Sequence, residues 1–364
     1  CRSIKIRELH PDQQQISMKP RIAITVGDYN GIGPEIAVKA IHESQIRQMC
    51  TPMLIGPADV FDHAARSSRL SHNFVCVGPS EQDFPGRGAD MEDPGLTYIV
   101  TTKDFPRKTI VAPGKIAARA GRVAGLALTI AVEMAVRHQI HAIVTAPVSK
   151  KALHMAGYRF AGQTEMLQRL SDSPSVAMML VSDVMRVGLV TIHIPIRRVA
   201  RSLTPALLRS RIQTIHRALV TDWRIASPKL AVLGLNPHAG EHGDLGTEDR
   251  AVIAPVVRRL RAAGMDVNGP FPADGFFGRY KPGTCDAVIA MYHDQGLIPL
   301  KMASFGTAVN VSVGLPIVRT SPDHGTAFDI AGKDVADPRS MIEAISLAAR
   351  IAANRMTSHT PGTP

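Results

Sequence analysis

The chain has 364 residues, of which 45% are hydrophobic and 20% are charged, and this ordinary globular composition is enough for a large core or two domains. Aromatic residues make up only 4%, which favours α/β packing over a β-sandwich. The net charge is +11, but Lys and Arg are spread along the chain without a long basic run, so we expect no nucleic-acid partner.

The cysteines are compatible with a reducing compartment, and the apolar segments are too short to span a membrane. The four cysteines form no CxxC pair, so the sequence predicts neither a disulfide framework nor a zinc ribbon. No apolar stretch approaches the ~18 residues that cross a bilayer. We therefore expect a cytoplasmic protein with no membrane partner.

Apolar strands alternate with helices along the chain. The predicted strands are 21–26, 50–56, 140–150, 176–182, 186–193, 229–236, 286–292 and 307–314. The predicted helices are 34–44, 114–139, 204–219, 249–264 and 340–355, and residues 80–95 are predicted as a loop. Continuous apolar strands between helices predict an α/β fold with a mostly parallel sheet that is buried on both faces.

The glycine-rich segment "GDYNGIGP" follows the first predicted strand and precedes a helix. It does not match the dinucleotide fingerprint G-x-G-x-x-G, so on its own it predicts a tight turn rather than a nucleotide site.

Three of the predicted strands end near a histidine. His193 ends "VGLVTIH", His238 ends "AVLGLNPH" and His293 lies in "MYHDQG". Each histidine alone is compatible with packing or a loop hydrogen bond, but ligands bind beyond the carboxyl ends of parallel strands, where all three lie. Neutral imidazoles bind divalent metals, and three of them leave open positions for a substrate. The pattern predicts a metal site, with Asp294 as a further ligand or as a residue that orients His293.

A divalent metal at such a site can lower the pKa of a substrate hydroxyl and stabilise negative charge, which suits oxidation of an alcohol. Zn, Mg, Mn and Co all remain candidates, although three imidazoles favour a transition metal.

Several long motifs make the chain similar to the 4-hydroxythreonine-4-phosphate dehydrogenase family of pyridoxal phosphate (vitamin B6) biosynthesis. They occur in the family's order, as "ITVGDYNGIGPEI", "VTAPVSKKAL", "FAGQTEML", "VTIHIPIR", "GLNPHAGEHGDLGTED", "NGPFPAD", "AMYHDQGLIPLK" and "VNVSVGLPIVRTSPDHGTAFDIAG". The resemblance implies an isopropylmalate dehydrogenase-like fold of two α/β/α domains with a cleft between them. We expect a first domain of 18–155 plus 312–355, a second of 156–311 with the metal ligands and the dimer interface, and tails at 1–17 and 356–364.

The resemblance also implies the roles of particular residues. His193, His238 and His293 would bind the divalent metal, with His293 reaching the site across a homodimer that shares its active sites. Substrate contacts would come from Thr164, Lys301, Asn310 and Arg319, which fall on matching positions.

The chain departs from the family at Gln163, where a histidine is usual. An amide can donate and accept hydrogen bonds but carries no proton near neutral pH. This departure weakens the exact substrate assignment, not the metal site.

Lys301 and Arg319 flank the segment "TAVNVSVGLPIV" and are candidates for binding a phosphate, as a point charge and a bidentate fork. The alternative is two solvated residues at strand ends. The general base is open between Lys301, Asp274 and Asp294.

The segment "DHGTAFDIAGKDVADP" resembles the loop of isopropylmalate dehydrogenases that cradles the adenosine part of NAD. His324 and Gly325 would approach the adenine, with Ala327 and Asp329 adjacent. The plain interpretation is a helix N-terminus capped by Asp and Thr, and both can be true. The choice between NAD and NADP stays open.

These inferences predict metal-dependent NAD(P) oxidation of 4-phosphooxy-L-threonine to a β-keto acid, which loses carbon dioxide to give 3-amino-2-oxopropyl phosphate. The rival is a dehydrogenase of D-threonate or D-erythronate 4-phosphate in sugar-acid catabolism. A dehydrogenase of a cis-dihydrodiol dicarboxylate and a non-catalytic metal or phosphate sensor are less favoured.

Overall fold

The computed structural model of the chain describes residues 19–80, 95–160, 162–304 and 306–357. The predicted N-terminal tail, almost all of the predicted loop 80–95 and most of the predicted C-terminal tail lie outside the described residues.

Strands and helices alternate along the chain, as the hydrophobic pattern predicts. The strands are β1 Arg21–Thr25, β2 Thr51–Ile55, β3 Phe74–Val77, β4 Thr97–Val100, β5 Ala142–Thr145, β6 Ala177–Val181, β7 Arg186–Leu189, β8 Leu230–Leu233, β9 Val267–Phe271, β10 Ala287–Ala290, β11 Val309–Val313 and β12 Arg319–Pro322. The helices are α1 Gly33–His42, α2 Ser44–Met49, α3 Ala58–Ser67, α4 Ala118–Val136, α5 Lys150–Met155, α6 Gln163–Leu170, α7 Ile196–Ser202, α8 Pro205–Trp223, α9 Ala254–Ala262, α10 Ala273–Gly278, α11 His293–Ala303 and α12 Arg339–Thr357.

All twelve strands form one continuous sheet in the order β3-β4-β2-β1-β5-β12-β11-β6-β7-β10-β8-β9. Most neighbouring strands are parallel, and the antiparallel pairs are β11 with β12, β11 with β6 and β6 with β7. The predicted α/β class with a mostly parallel sheet is thereby confirmed.

The antiparallel pairs in the middle of the sheet divide the remaining strands into two sets that run in opposite directions. Strands β1 to β5 and β12 run one way, together with β6, whereas β7, β8, β9 and β10 run the other way. The carboxyl ends of the two sets therefore point to opposite edges of the sheet. The sequence predicted parallel strands but not this reversal.

The central strands are buried on both faces, as parallel strands between helices require. In β1, Ile22, Ala23 and Ile24 are fully buried, and in β10 Val288 and Ile289 are fully buried. These side chains belong to two hydrophobic clusters, a large one around β1 and β5 and a smaller one beside β7 and β10.

Helix α4 packs closely on the segment that leads from β5 to α6. A Cβ atom on Gly121 of α4 would lie 2.0 Å from the Ala152 carbonyl oxygen, and one on Gly125 would overlap the ring of Tyr158. Only glycine allows this approach, and the approach fixes the chain just before α6.

The predicted helix at 114–139 begins at Ala118 rather than at residue 114, because the chain at 114 turns through a glycine with a φ of 75°. The predicted domain boundaries stay a prediction. None of the helices among the described residues combines the length and the apolar character needed to cross a membrane.

Candidate functional site

His193 and His293 follow the neighbouring strands β7 and β10, and their ring centroids lie 5.7 Å apart. The backbone of β7 continues along β10 past its end, since Val190 donates to the Ala290 carbonyl and Thr191 to the Met291 carbonyl. His193 itself has a left-handed φ of 35°, and non-glycine residues in this region carry strain that clusters at functional sites. The strand ends therefore bring two of the three predicted ligands, His193 and His293, together within one chain, which differs from the expectation that His293 reaches the site across a homodimer.

His293 is oriented by the residue that follows it. Its Nδ1 lies 2.7 Å from Asp294 Oδ1, so the carboxylate accepts a hydrogen bond from the Nδ1–H group and Nε2 is left to bind a metal. This contact fits the orienting role predicted for Asp294. Partial burial and the neighbouring His293 lower the pKa of His193, which favours the neutral, metal-binding imidazole.

His238 lies in a turn of unusual backbone conformation. Five consecutive residues from His238 to His242 have left-handed φ values, between 39° and 82°, and His238 is exposed. Buried Asp249 holds the start of this turn by accepting hydrogen bonds from the backbone amides of Leu235 (2.7 Å) and Asn236 (3.1 Å).

Gln295 connects the strand end before His293 with the strand end before His238. Its Oε1 accepts from the Met291 amide (2.7 Å) and its Nε2 donates to the Gly234 carbonyl (2.6 Å), so the end of β10 is tied to the end of β8. Sequence reasoning missed Gln295 and Asp249, although both lie inside the motifs that carry the histidines.

One chain does not complete the predicted three-histidine cluster. Within the described ranges no group of three His, Cys, Asp or Glu side chains is close enough to hold a metal ion. The donor set present, a pair of imidazoles of which one is fixed by a carboxylate, nevertheless suits a divalent transition metal. The part of His238 in this site stays a prediction.

Arg319 is the second centre of the candidate site. It is only 3% exposed, and its guanidinium donates to hydroxyl and amide oxygens rather than to a carboxylate. Nε (3.1 Å) and Nη2 (2.6 Å) donate to Thr145 Oγ1, Nη1 donates to Ser312 Oγ (3.1 Å) and Nη2 to Gln163 Oε1 (2.7 Å). Burial lowers the pKa of Arg319 to about 10.

A buried cation whose described partners are all neutral is costly unless an anion joins it. The arrangement around Arg319 therefore suits an anionic ligand. The alternative of a solvated residue at a strand end is wrong for Arg319, because Arg319 begins β12 and is buried. Thr145 and Ser312 were missed, because a hydroxyl on an apolar strand gives no sequence signal of its partner.

Asn310 lies on the same face of β11 as Ser312, two residues along the strand. Its Oδ1 is buried without a hydrogen-bond partner among the described residues. Such an orphaned acceptor, on the same face of β11 as the Ser312 that binds the arginine, can receive a hydrogen bond from a ligand hydroxyl or ammonium group. Thr164 lies in the first turn of α6, beside Gln163.

Lys301, in the last turn of α11, forms an ion pair with Asp323 after β12 (2.8 Å). This pair links α11 to the start of the predicted cofactor loop. Asp274 is exposed in the first turn of α10. The two candidate bases therefore differ. Lys301 is ion-paired with Asp323, whereas the Asp274 side chain makes no hydrogen bond or ion pair with the described residues.

The predicted cofactor loop is a series of bends and turns that docks on the glycine-rich turn. Its last residues precede α12, where Asp337 Oδ1 accepts a hydrogen bond from the Arg339 amide (2.9 Å), so the predicted cap at a helix N-terminus is also present. A Cβ atom at Gly31 would lie 2.7 Å from the Thr326 carbonyl oxygen, and the Ile32 amide donates to that oxygen (3.0 Å). Gly31 of "GDYNGIGP" is therefore required for contact with this loop, in agreement with the predicted tight turn.

The outer side of the loop is open. A Cβ atom at Gly325 would meet no heavy atom of the described structure within 4 Å, and His324 and Asp329 are exposed. Ala327 has a left-handed φ of 42°. Open backbone next to a strained residue leaves room for a flat ligand to approach.

Asp28 in the glycine-rich turn is fully buried, and its Oδ2 has no hydrogen-bond partner in the described structure. Burial raises the pKa of Asp28 from its ordinary value of 3.8 to about 6, although Oδ1 accepts a hydrogen bond from the Asn30 amide (3.0 Å). The folded state therefore prefers the protonated carboxyl.

We expect this preference to appear in the pH dependence of stability. The pKa of Asp28 is higher in the folded state than in the unfolded state. The free energy of unfolding should therefore fall by about 2–3 kcal/mol as the pH rises from about 4 to about 6. Asp28→Asn keeps Oδ1 and should flatten this fall, as measured by urea unfolding across that range. An unchanged slope in the variant would show that another group causes it.

Helix α6 lies between the two centres. Gln163 at its start binds Arg319, and the charge of Glu165 two residues later acts on His193. The histidines follow β7 and β10, whereas Arg319 begins β12, which runs in the opposite direction, yet one helix approaches both centres.

Comparison with known proteins gives a consistent result. The family model described as pyridoxal phosphate biosynthetic protein PdxA matches residues 48–348. The chain is 43% identical to D-threonate 4-phosphate dehydrogenase of Cupriavidus necator, over 92% of this chain and 98% of that protein. It is 41% identical to 4-hydroxythreonine-4-phosphate dehydrogenase of Desulforapulum autotrophicum, over 91% and 95%. The crystal structure of a 4-hydroxythreonine-4-phosphate dehydrogenase from Burkholderia phymatum matches with a TM-score of 0.78 and 39% identity, over 92% and 98%.

Proposed function

Because the chain belongs to the pyridoxal phosphate biosynthetic protein PdxA family, we propose that it is a metal-dependent NAD(P) dehydrogenase of a phosphorylated hydroxy acid. The family predicted from the sequence motifs is confirmed by this match. The relatives are named dehydrogenases, which supports an oxidoreductase.

The proposed substrate is 4-phosphooxy-L-threonine. Hydride leaves C3 for the nicotinamide and the hydroxyl proton is released, which gives NAD(P)H and a β-keto acid. Loss of the carboxylate as carbon dioxide, with uptake of a proton at C2, then gives 3-amino-2-oxopropyl phosphate. The observation that carries the proposal is the buried guanidinium of Arg319, because it lacks an anion that this substrate supplies twice, as phosphate and as carboxylate.

Different residues of the chain are proposed to bind the substrate, the metal and the cofactor. Arg319 would bind an anionic group of the substrate, Asn310 Oδ1 would accept from a donor on the same molecule, and Lys301 would add a second cation at the edge. His193, His238 and His293 would hold the divalent metal, whose chemistry is to lower the pKa of the alcohol and stabilise negative charge on oxygen. Exposed Gly325, followed by the half-buried Ala327, would leave the loop backbone open to the adenosine part of NAD(P).

We also propose a homodimer with shared active sites. Four exposed apolar side chains lie on the segment that follows His193 and on the helix that His293 begins, and they are Ile194, Ile196, Ile298 and Met302. Ile194 and Ile196 line the same cavity as His193 and His293. Ile298 and Met302 are one turn apart on α11, the helix that His293 begins. A second copy that covers this surface would remove it from water and could supply the missing third imidazole.

A D-threonate 4-phosphate dehydrogenase is the second candidate, because the C. necator relative is 43% identical and the D. autotrophicum relative 41%. Both substrates carry a phosphate, so the arginine centre serves either. They differ at C2, which carries an amino group in one and a hydroxyl in the other.

The deciding experiment is an assay of NADH and NADPH formation with 4-phosphooxy-L-threonine, D-threonate 4-phosphate and D-erythronate 4-phosphate side by side. We expect the highest kcat/KM with the first substrate, loss of turnover with a chelator and its return with added divalent metal. A higher kcat/KM with either sugar acid would assign the second function. Binding without reduction of either cofactor would instead indicate a sensor.

A further inference from the structure

We propose that Gln163 is a positioning residue that holds the Arg319 guanidinium in one anion-binding orientation independently of pH. The inference rests on the proposed function only in that Arg319 binds an anionic ligand.

Gln163 can hold only one orientation, because both ends of its amide are used. Oε1 accepts from Arg319 Nη2 (2.7 Å) and Nε2 donates to the Ala146 carbonyl (3.4 Å). A rotated amide would point NH₂ at the guanidinium and oxygen at a carbonyl, so both contacts would become repulsive. Ala146 follows Thr145, a second acceptor of Arg319, so the end of β5 orients the glutamine that in turn orients the arginine.

A count of donors shows what this arrangement leaves for a ligand. A guanidinium has five N–H bonds, one on Nε and two on each Nη. Thr145 and Gln163 take Nε and both protons of Nη2, and Ser312 takes one proton of Nη1. One Nη1 proton remains, so the bound anion meets a donor whose direction the three other acceptors set.

The opposite face of β12 does not interfere with this cluster. Thr320 donates to the Ala344 carbonyl of α12, and side chains alternate along a strand, so α12 covers the face away from Arg319. The charged and titratable groups on α4, α5 and α6, which pack on one another beside β5, are Arg119, Arg122, Glu133, Lys150, Lys151, His154, Glu165 and Arg169. Those on the neighbouring loops and on α11 are Asp28, His193, Lys301 and Asp323. None of these groups is changed in any variant below, so their titration affects the wild type and the variants alike.

Chemistry predicts a different behaviour for an imidazole at this position. A neutral histidine could accept from Arg319 with one ring nitrogen, whereas an imidazolium carries two donors and a positive charge. Gln163→His should therefore bind an anion well at high pH and poorly at low pH. Gln163→Met, which offers no comparable acceptor, should bind an anion less well at every pH.

The probe is sulfate, which stays a dianion across the range, and its Kd is measured by calorimetry on the full chain. From about pH 8 to about pH 5.5, we expect the Kd of Gln163→His to rise by about tenfold more than that of the wild type. The ratio of the Gln163→Met to the wild-type Kd should stay constant. Gln168→His on the same helix, whose native side chain donates to the Ser173 carbonyl, is the matched control and should follow the wild type.

Two outcomes would overturn the inference, and they are distinguishable. Equal pH profiles for the wild type and Gln163→His would overturn the role of Gln163 and leave the anion site in place. A wild-type protein that binds no sulfate at any pH would overturn the anion site and the role of Gln163 together.

Discussion

Substitution of Arg319 by methionine is expected to lower kcat/KM for the phosphorylated substrate by about 10²–10³-fold, because a buried, hydrogen-bonded charge pair costs a few kcal/mol to break. The guanidinium is almost completely buried, and its described partners are the neutral side chains of Thr145, Gln163 and Ser312. Methionine has similar length but no charge. Steady-state kinetics and calorimetry with sulfate measure the loss.

The same substitution should change stability little. Burial of the unpaired charge destabilises the ligand-free protein, and its removal offsets the lost hydrogen bonds, so the unfolding free energy should stay within about 1 kcal/mol. The matched control is Arg355→Met, because Arg355 pairs with buried Asp222 through two bonds (2.7 and 3.0 Å). That variant should lose about 1–3 kcal/mol of stability but keep its kcat/KM. Full activity in Arg319→Met would refute the assigned role.

The apolar strands could be predicted from the sequence because burial on both faces leaves a plain hydrophobic run. "RIAITV" and "TPMLI" form β1 and β2 within one residue of the expected bounds. The strand β12 could not be found this way, since its sequence "RTSP" is polar. Its side chains are buried through hydrogen bonds to Thr145 and to the Ala344 carbonyl, which are distant in sequence.

The candidate site was predictable residue by residue but not as an arrangement. The position of His193 and His293 beyond strand ends predicts their proximity correctly, because β7 and β10 are parallel neighbours. Two features that the sequence pattern does not reveal determine how the other site residues are arranged. The direction of the sheet reverses through β11 and β6, and the turn after β8 takes a left-handed course at His238.

Removal of the His238 imidazole by His238→Ala is expected to lower kcat by at least about 10³-fold and to weaken binding of Zn or Co, because the metal would lose one of three protein ligands. His242→Ala is a matched control, since His242 lies in the same turn, is exposed and has a left-handed φ of 59° like the 53° of His238. Metal content after dialysis and NADH formation measure the two losses. Equal effects of both substitutions would mean that the turn, not the ligand, was damaged.

Mixing two inactive variants tests whether one site takes its ligands from two chains. If His238 and His293 of one metal site belong to different subunits, a heterodimer of His238→Ala and His293→Ala has one intact site and one doubly altered site. Random reassembly should then restore about a quarter of the wild-type activity, because half of the dimers are mixed and each has one working site. If all three ligands came from one chain, every site in the mixture would lack a histidine and no activity would return. The separation of His238 from the His193–His293 pair within the described part of one chain leads us to expect recovery.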